Sequence, residues 1–266
     1  MSNLAVRVLA AVIGVPAVLV VMWVGGPLFH ALVMLITYGA AWEYFSITGF
    51  KQDRKSFIFA MLLTLSFSLV TTLIPLRYLG PAVVASTMGI FLWYLFSFGE
   101  MATVVSRAGI MLLGVVYAGF LPTLLLHLRN LPEGRGWFLM LLAIVWLADT
   151  GAYFTGRAFG RHKMYPAVSP GKSWEGAVGG LAASVGGAFL AKAFFLQFLT
   201  PVEILILAIP AGALGQMGDL CESLIKRAYG VKDSGHSIPG HGGVLDRFDA
   251  IFFAAPVVYF FARIIH

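Results

Sequence analysis

Long apolar segments, separated by short polar ones, follow one another along the whole chain. Nine of them approach the roughly 20 residues that an α-helix needs to cross a bilayer. The apolar residues form continuous runs without polar alternation, which favours helices over the strands of a membrane barrel. The sequence therefore predicts an all-α, polytopic integral membrane protein. The predicted spans are Ala5–Val24, Leu28–Thr48, Phe57–Leu76, Tyr78–Phe98, Ile110–Leu128, Trp137–Phe159, Trp174–Leu199, Val202–Lys226 and Phe248–Ile265.

The amino-acid composition also indicates a membrane protein, and it argues against a nucleic-acid partner. The chain is 59% hydrophobic and only 11% charged, whereas soluble domains carry about 25% charged residues. Its net charge of +6 is explained by basic loops at a membrane surface, so we expect no nucleic-acid partner. The single cysteine, Cys221, excludes an internal disulfide and a zinc site with several cysteines.

The distribution of Lys and Arg predicts the orientation of the spans. Loops on one side carry 13 of these residues and loops on the other carry 4, with Lys192 inside a span. Because basic loops stay in the cytoplasm, we expect a cytoplasmic N-terminus. The loops at 160–173 and 227–247 then lie on the cytoplasmic side. We interpret the N-terminal apolar segment as a first membrane helix and not as a removed signal peptide.

Polar residues concentrate in the second half of the chain. The first spans contain few charges apart from Glu43, and the acids inside later spans follow residue 145. This contrast predicts scaffold helices over 1–136 and catalytic helices over 137–266. Glu43 itself fits either a structural hydrogen bond to a neighbouring helix or a role in a site, since an acid inside a membrane span is costly and usually functional.

Two predicted spans carry polar side chains on one helical face. In the eighth span, Asp219, Glu222 and Lys226 recur at spacings of three and four residues, and Ser223 lies beside them. In the sixth span, Asp149 lies well inside an apolar stretch. The two acids of the eighth span predict a hydrated cavity, a bound cation or a depth near the cytoplasmic surface, and Asp149 predicts a role in a site. The alternatives are a Glu222–Lys226 pair at the helix end and an interhelical ion pair for Asp149.

The segment 169–176 reads SPGKSWEG and precedes the seventh span. Ser173 is a suitable N-cap, and Lys172 lies beside the start of the helix, where anions bind. A P-loop is excluded because Pro166 occupies the position of its first glycine. The segment therefore predicts either a phosphate contact by Lys172 and Ser173 or ordinary helix capping.

The most polar stretch of the chain runs from Ser223 to Asp249. Asp246 and Asp249 are three residues apart at the start of the last span, so their carboxylates can converge. Acids that hold Mg²⁺ next to bases that hold phosphate oxygens are typical of phosphoryl chemistry. The alternative is a plain basic cytoplasmic loop. The bases of the stretch are Lys226, Arg227, Lys232 and Arg247, and a Gly242-Gly243 turn lies among them.

This stretch, SLIKRAYGVKDSGHSIPGHGGVLDRFD, resembles the C-terminal motif of the CDP-diacylglycerol synthases, also called phosphatidate cytidylyltransferases. Every specified motif position has its counterpart here. The segments ADTGAYFTGRAFGRHK, SPGKSWEGAVGG and AAWEY are similar to other parts of the family. The resemblance implies that CTP and phosphatidate react to give CDP-diacylglycerol and pyrophosphate. It also implies Mg²⁺, a second monovalent cation such as K⁺, a homodimer, and an active site that faces the cytoplasm from a bacterial inner membrane.

Together with the spacing and chemistry of these residues, the resemblance implies a role for each of them. Asp219, Asp246 and Asp249 would hold the metal and, with Lys226, form the catalytic set. Asp149 is placed in the cavity wall with no defined role. The remaining expected substrate-binding residues are Lys172, Ser173, Ser223, Arg227, Lys232, Asp233, His241, Gly242, Gly243 and Arg247.

Overall fold

A computed structural model describes residues 3–97, 99–238 and 242–265, with side chains from Val12 onward. The chain is almost entirely helical, which confirms the predicted all-α membrane class. Its helices are α1 Asn3–Val24, α2 Gly26–Ile47, α3 Arg54–Leu73, α4 Leu79–Ser97, α5 Val104–Gly114, α6 Leu121–Arg129, α7 Gly134–Phe159, α8 Trp174–Phe195, α9 Pro201–Ala228 and α10 Leu245–Ile265.

The helices α5 and α6 form one continuous crossing. A π-helical turn, Val115–Phe120, joins them, so ten helices give nine crossings of the predicted kind. Among the described residues, eight helical segments are long and apolar enough to span a bilayer, and Val12–Val24 of α1 forms a shorter apolar helix. The nine predicted spans therefore correspond to these eight segments together with α1. The division of the chain at residue 136 and the orientation of the N-terminus stay predictions.

Four helix starts precede the predicted boundaries by three residues or more. Helix α3 begins at Arg54 and not at Phe57, and α7 begins at Gly134 and not at Trp137. The fifth crossing begins at Val104, earlier than the expected Ile110, and α10 begins at Leu245, earlier than the expected Phe248. The earlier start of α10 places Asp246 inside its first turn. The physical reason is a buried carboxylate on α2, which accepts hydrogen bonds from the amides at the start of α10 and is described below.

Side-chain caps fix other helix starts. The carboxylate of Asp53 accepts hydrogen bonds from the amides of Lys55 (3.2 Å) and Ser56 (3.3 Å) at the start of α3. At the start of α9, Thr200 and Glu203 form a reciprocal capping box. Each cap satisfies amides that have no partner within the helix.

The loop between α7 and α8 contains a short antiparallel hairpin that the sequence did not predict. Its strands are β1 Lys163–Tyr165 and β2 Ser169–Ser173, paired between Lys163 and Ser173 and between Tyr165 and Ser169. The hairpin lies at the ends of α7 and α8, so it brings Lys172 close to the membrane helices.

Glycines allow α7 and α8 to pack closely. A Cβ added to Gly176 would lie 3.0 Å from the carbonyl oxygen of Ala152, and one added to Gly180 would lie 2.8 Å from that of Ala148. Small residues that permit such close approach are a common basis of helix association in membranes. Gly176 and Gly180 therefore serve close packing of the two helices. Helix α10 contacts α9, α7, α6 and α2 and lies centrally in the bundle.

Candidate active site

Two adjoining cavities lie where α7, α9 and the polar ends of α8 and α10 meet. The first, called here the hairpin cavity, has a volume of about 630 Å³. The second, called here the central cavity, has a volume of about 520 Å³. Asp149 and Asp219 line both cavities, so these two carboxylates mark the boundary between them.

The central cavity brings together most of the predicted site. Acidic and basic side chains from α7, α9, α10 and the loop before α10 form its wall. The polar faces of the sixth and eighth predicted spans therefore meet the start of the ninth. Its charged lining residues are Asp149, Asp219, Glu222, Lys226, Arg227, Lys232, Asp233, Asp246, Arg247 and Asp249.

The hairpin cavity contains the two predicted residues of the 169–176 segment. Lys172 and Ser173 line it together with Arg157 and Lys163, so three basic side chains face Asp149 and Asp219. Ser173 caps α8, because its hydroxyl oxygen accepts a hydrogen bond from the amide of Gly176 at 3.2 Å. The capping interpretation is thus confirmed, and the phosphate contact stays a prediction.

Lys172 connects the hairpin to α9 at the boundary of the two cavities. Its ammonium group lies 2.8 Å from a carboxylate oxygen of Asp219 and 3.4 Å from the carbonyl oxygen of Gln216. The hydroxyl of Ser223 donates a weaker hydrogen bond to the other oxygen of Asp219 at 3.4 Å. Asp219 is therefore held by two of the predicted site residues while it still lines both cavities.

Lys226 lies between two buried carboxylates. Its ammonium group forms an ion pair with Glu222 on the same helix and lies 2.6 Å from the carboxylate of Asp246 on α10. The predicted pairing of Glu222 with Lys226 is confirmed, but it is buried instead of lying at an exposed helix end: Glu222 is only 1% exposed. One cation thus joins α9 to the first turn of α10.

Asp246 is engaged by the loop that precedes its own helix. One of its oxygens accepts hydrogen bonds from the amide (3.0 Å) and the hydroxyl (2.8 Å) of Ser234 and from the amide of Gly243 (2.9 Å). The other oxygen faces Lys226. Asp246 therefore holds Ser234 and Gly243 in place as well as contributing a charge to the cavity.

Asp249 has fewer contacts than Asp246. It is 8% exposed, it lines the central cavity, and its carboxylate accepts a hydrogen bond from the amide of Ala250 at 2.7 Å. No ion pair of Asp249 or of Asp149 is found in the part of the chain that the structure describes. The interhelical ion pair considered for Asp149 is thus not observed.

The carboxylates of the central cavity are the kind of ligand that a hard cation such as Mg²⁺ prefers. Within the described residues, no three Asp, Glu, His or Cys side chains lie close enough together to bind one metal ion. Asp149, Asp219 and Asp249 nevertheless line the same cavity, and carboxylate ligands favour Mg²⁺ over zinc. The residues present therefore fit Mg²⁺, and the predicted ligand set of Asp219, Asp246 and Asp249 stays a prediction.

The remaining basic residues differ in how firmly they are held. Arg227 donates to the carbonyl oxygens of Val168 (3.3 Å) and Val231 (3.0 Å), so it ties the hairpin to the end of α9. Lys232 and Asp233 are exposed at the mouth of the central cavity. His241 lies outside the described residues, whereas Gly242 adopts the left-handed backbone conformation, with φ at 83°.

Glu43 is the residue whose role the sequence left open. It is 2% exposed and lies on α2, yet its carboxylate accepts hydrogen bonds from the amides of Val244 (3.0 Å) and Leu245 (2.9 Å). It also accepts from the hydroxyl of Ser237 (2.6 Å). The hydroxyl of Ser234 lies 3.0 Å away and shares its one proton between Glu43 and Asp246. The structural interpretation is therefore confirmed, but the partners are two serines of the segment after α9 and the two amides at the start of α10.

Comparison with known proteins gives a consistent result over the whole chain. The cytidylyltransferase family matches residues 5–265. The chain is 35% identical to a phosphatidate cytidylyltransferase of Brucella suis over 270 residues, which cover 99% of this chain and 95% of that protein. Proteins with the same name from Haemophilus influenzae and Synechocystis are 34% and 33% identical, and each alignment covers at least 95% of both chains. This chain therefore belongs to the cytidylyltransferase family.

Proposed function

We propose that this protein transfers the cytidylyl group of CTP to phosphatidate, giving CDP-diacylglycerol and pyrophosphate. The observation that carries the proposal is the charged wall of the central cavity. Six Asp and Glu side chains and four Lys and Arg side chains line it together. Membership of the cytidylyltransferase family and nearly full-length similarity to phosphatidate cytidylyltransferases support the same reaction.

The charges of the cavity suit two anionic substrates. CTP and phosphatidate together carry about six negative charges, and unit charges of like sign 4 Å apart repel by about 4 kcal/mol near a protein surface. Lys226, Arg227, Lys232 and Arg247 supply compensating charge in the central cavity. Lys172 extends the basic surface into the hairpin cavity. We assign these side chains to the triphosphate and the lipid phosphate.

The reaction requires no covalent intermediate on the protein. A phosphate oxygen of phosphatidate attacks the α-phosphorus of CTP, a new phosphorus–oxygen bond forms, and the bond to the pyrophosphate oxygen breaks. Since the attacking oxygen is already ionised near neutral pH, no strong general base is needed. The protein's task is to orient two anions and to stabilise the charge that develops during transfer.

The carboxylates have a matching role. We assign Asp219, Asp246 and Asp249 to Mg²⁺, with Asp149 in the wall beside them. When bound, Mg²⁺ neutralises phosphate charge during transfer. Lys226 holds Asp246 in place at 2.6 Å, and Lys172 holds Asp219 at 2.8 Å. A monovalent cation such as K⁺ is proposed as a second ion in the same acidic region.

The site opens at one end of a multi-pass membrane bundle. We propose the bacterial inner membrane as its location and the cytoplasm as the compartment that the site faces, because the more basic loops lie at that end. CTP would then enter from the cytoplasm and phosphatidate from the surrounding lipid. A homodimer is proposed as the assembly.

Product analysis tests the reaction directly. Purified protein given CTP labelled in the cytidine, together with phosphatidate and Mg²⁺, is expected to produce a labelled lipid and one pyrophosphate for each lipid formed. The matched control replaces phosphatidate by diacylglycerol, which lacks the attacking phosphate. Release of labelled CDP with phosphorylation of a lipid alcohol would instead identify a CTP-dependent lipid kinase of the dolichol-kinase type. Solute movement in CTP-free proteoliposomes would indicate a transporter.

Cysteine labelling tests the orientation. In a Cys221→Ala background, which removes the single native cysteine, His236→Cys places a thiol on the exposed loop before α10. We expect an impermeant maleimide to label it only from the cytoplasmic side. The matched control, Asn130→Cys, lies on the exposed connection between α6 and α7 and should react only from the opposite side. Exchange of the two patterns would reverse the orientation.

A further inference from the structure

We propose that Glu43 is a positioning residue of the active site: its buried carboxylate is the internal anion that holds residues 234–237 and 243–245 together. Through these residues it sets the positions of Asp246 and Lys226. The inference rests on the proposed function only where it concerns turnover, since the loop geometry can be measured independently.

Four donors converge on one carboxylate. Two are hydroxyls, from Ser234 and Ser237, and two are backbone amides, from Val244 and Leu245, at distances of 2.6 to 3.0 Å. No Lys or Arg forms an ion pair with Glu43 in the described part of the chain. The charge is therefore stabilised by hydrogen bonds and by the amide end of α10, where a negative charge is favourable.

The glycines of the loop fit closely around this carboxylate. A Cβ on Gly235 would lie 2.7 Å from one oxygen of Glu43, and a Cβ on Gly243 would overlap the other oxygen and the hydroxyl of Ser234. A loop that wraps its amides around an anion in this way forms a nest. In this structure the anions inside the nest are the chain's own Glu43 and Asp246.

Ser234 links the two carboxylates. Its hydroxyl lies 3.0 Å from Glu43 and 2.8 Å from Asp246, and its amide donates to Asp246 at 3.0 Å. Because Asp246 in turn pairs with Lys226, displacement of Ser234 or of the Gly243 amide would move both charged groups. Glu43 thus acts on the central cavity through the loop and does not line that cavity.

The decisive variant is Glu43→Gln, which preserves size but replaces one acceptor oxygen by a donor. We expect turnover to fall at least 10-fold, because Asp246 and Lys226 are displaced. The KM for CTP should change by less than about 3-fold, because Arg227, Lys232 and Arg247 stay in the cavity wall. Glu43→Asp, which keeps the charge but shortens the reach, should retain more activity than Gln. The matched control, Glu100→Gln, makes the same change at an exposed acid that lines neither cavity, so it should stay within about 3-fold of wild type.

Hydrogen–deuterium exchange separates positioning from general destabilisation. In Glu43→Gln, exchange is expected to accelerate at the amides of residues 234–246 and to stay unchanged in α3 and α8. If Glu43→Gln does not fold, the same exchange measurement is made on Glu43→Asp and Ser234→Ala. Unchanged exchange in the loop, or acceleration throughout the bundle, would overturn the inference. Suppose that the wild-type protein makes no CDP-diacylglycerol, but exchange near residues 234–246 accelerates in Glu43→Gln. The proposed function is then wrong, while the positioning role of Glu43 still holds.

Discussion

Asp249→Asn is expected to reduce kcat/KM at least about 100-fold while leaving the protein as stable as the wild type. The loss follows from the position of the carboxylate in the wall of the central cavity, since removal of one charge that organises a phosphoryl-transfer site typically costs two or three orders of magnitude. Stability is retained because no ion pair of Asp249 exists among the described residues. The uncharged amide is also cheaper to bury than a carboxylate.

This variant tests the metal assignment more cleanly than Asp246→Asn. Asp246 also holds Lys226, Ser234 and Gly243, so its replacement should lower both turnover and thermal stability. Steady-state kinetics, thermal unfolding in detergent and Mg²⁺ binding by titration calorimetry would be compared for both variants. If Asp249→Asn retains activity with an unchanged Mg²⁺ dependence, Asp249 is not a ligand of the ion.

The matched control for both variants is Asp53→Asn. Asp53 is half-exposed, caps α3 and lies 3.7 Å from Arg107, away from both cavities. Asn is about as good an N-cap as Asp. This variant should therefore stay within about 2-fold of wild-type activity, and a larger loss would mean that any change of an acid near the helix ends lowers turnover.

The sequence predicted the bundle and most of the cavity because both depend on local spacing. Continuous apolar runs define the crossings, and residues three or four positions apart, such as Asp219, Glu222 and Lys226, must share a helix face. Since those polar faces cannot be left in lipid, their convergence on one cavity follows. The cap at Ser173 was predictable for the same local reason.

Other features depend on contacts between distant residues. Glu43 and Ser234 are 191 positions apart, and no periodicity along α2 indicates which loop will supply the donors. The glycines at 242–243 were assigned to a substrate phosphate, because a glycine-rich loop beside basic residues suits an external anion equally well. The structure shows that Gly243 donates to Asp246, an anion of the chain itself. The hairpin between α7 and α8 is too short to show a strand pattern.

Lys226→Met is expected to cause the largest combined loss, in both stability and turnover. The change leaves Glu222 and Asp246 without the ammonium group that both contact, and Glu222 is 1% exposed. Removal of one partner from a buried ion pair typically costs about 3–5 kcal/mol. The measurement is thermal unfolding in detergent together with the product assay, and we expect a lower midpoint and no detectable CDP-diacylglycerol.

A second change separates the two effects of Lys226. In the double variant Lys226→Met with Glu222→Gln, the more buried carboxylate is neutral, so part of the lost stability should return. Turnover should not return, because the cavity still lacks the ammonium group that holds Asp246 at 2.6 Å. Glu222→Gln alone is the matched control and should remain active, since Lys226 keeps its partner on α10. If the double variant recovers activity along with stability, Lys226 acts only as a counter-ion that holds α9 and α10 together, and its place in the catalytic set is wrong.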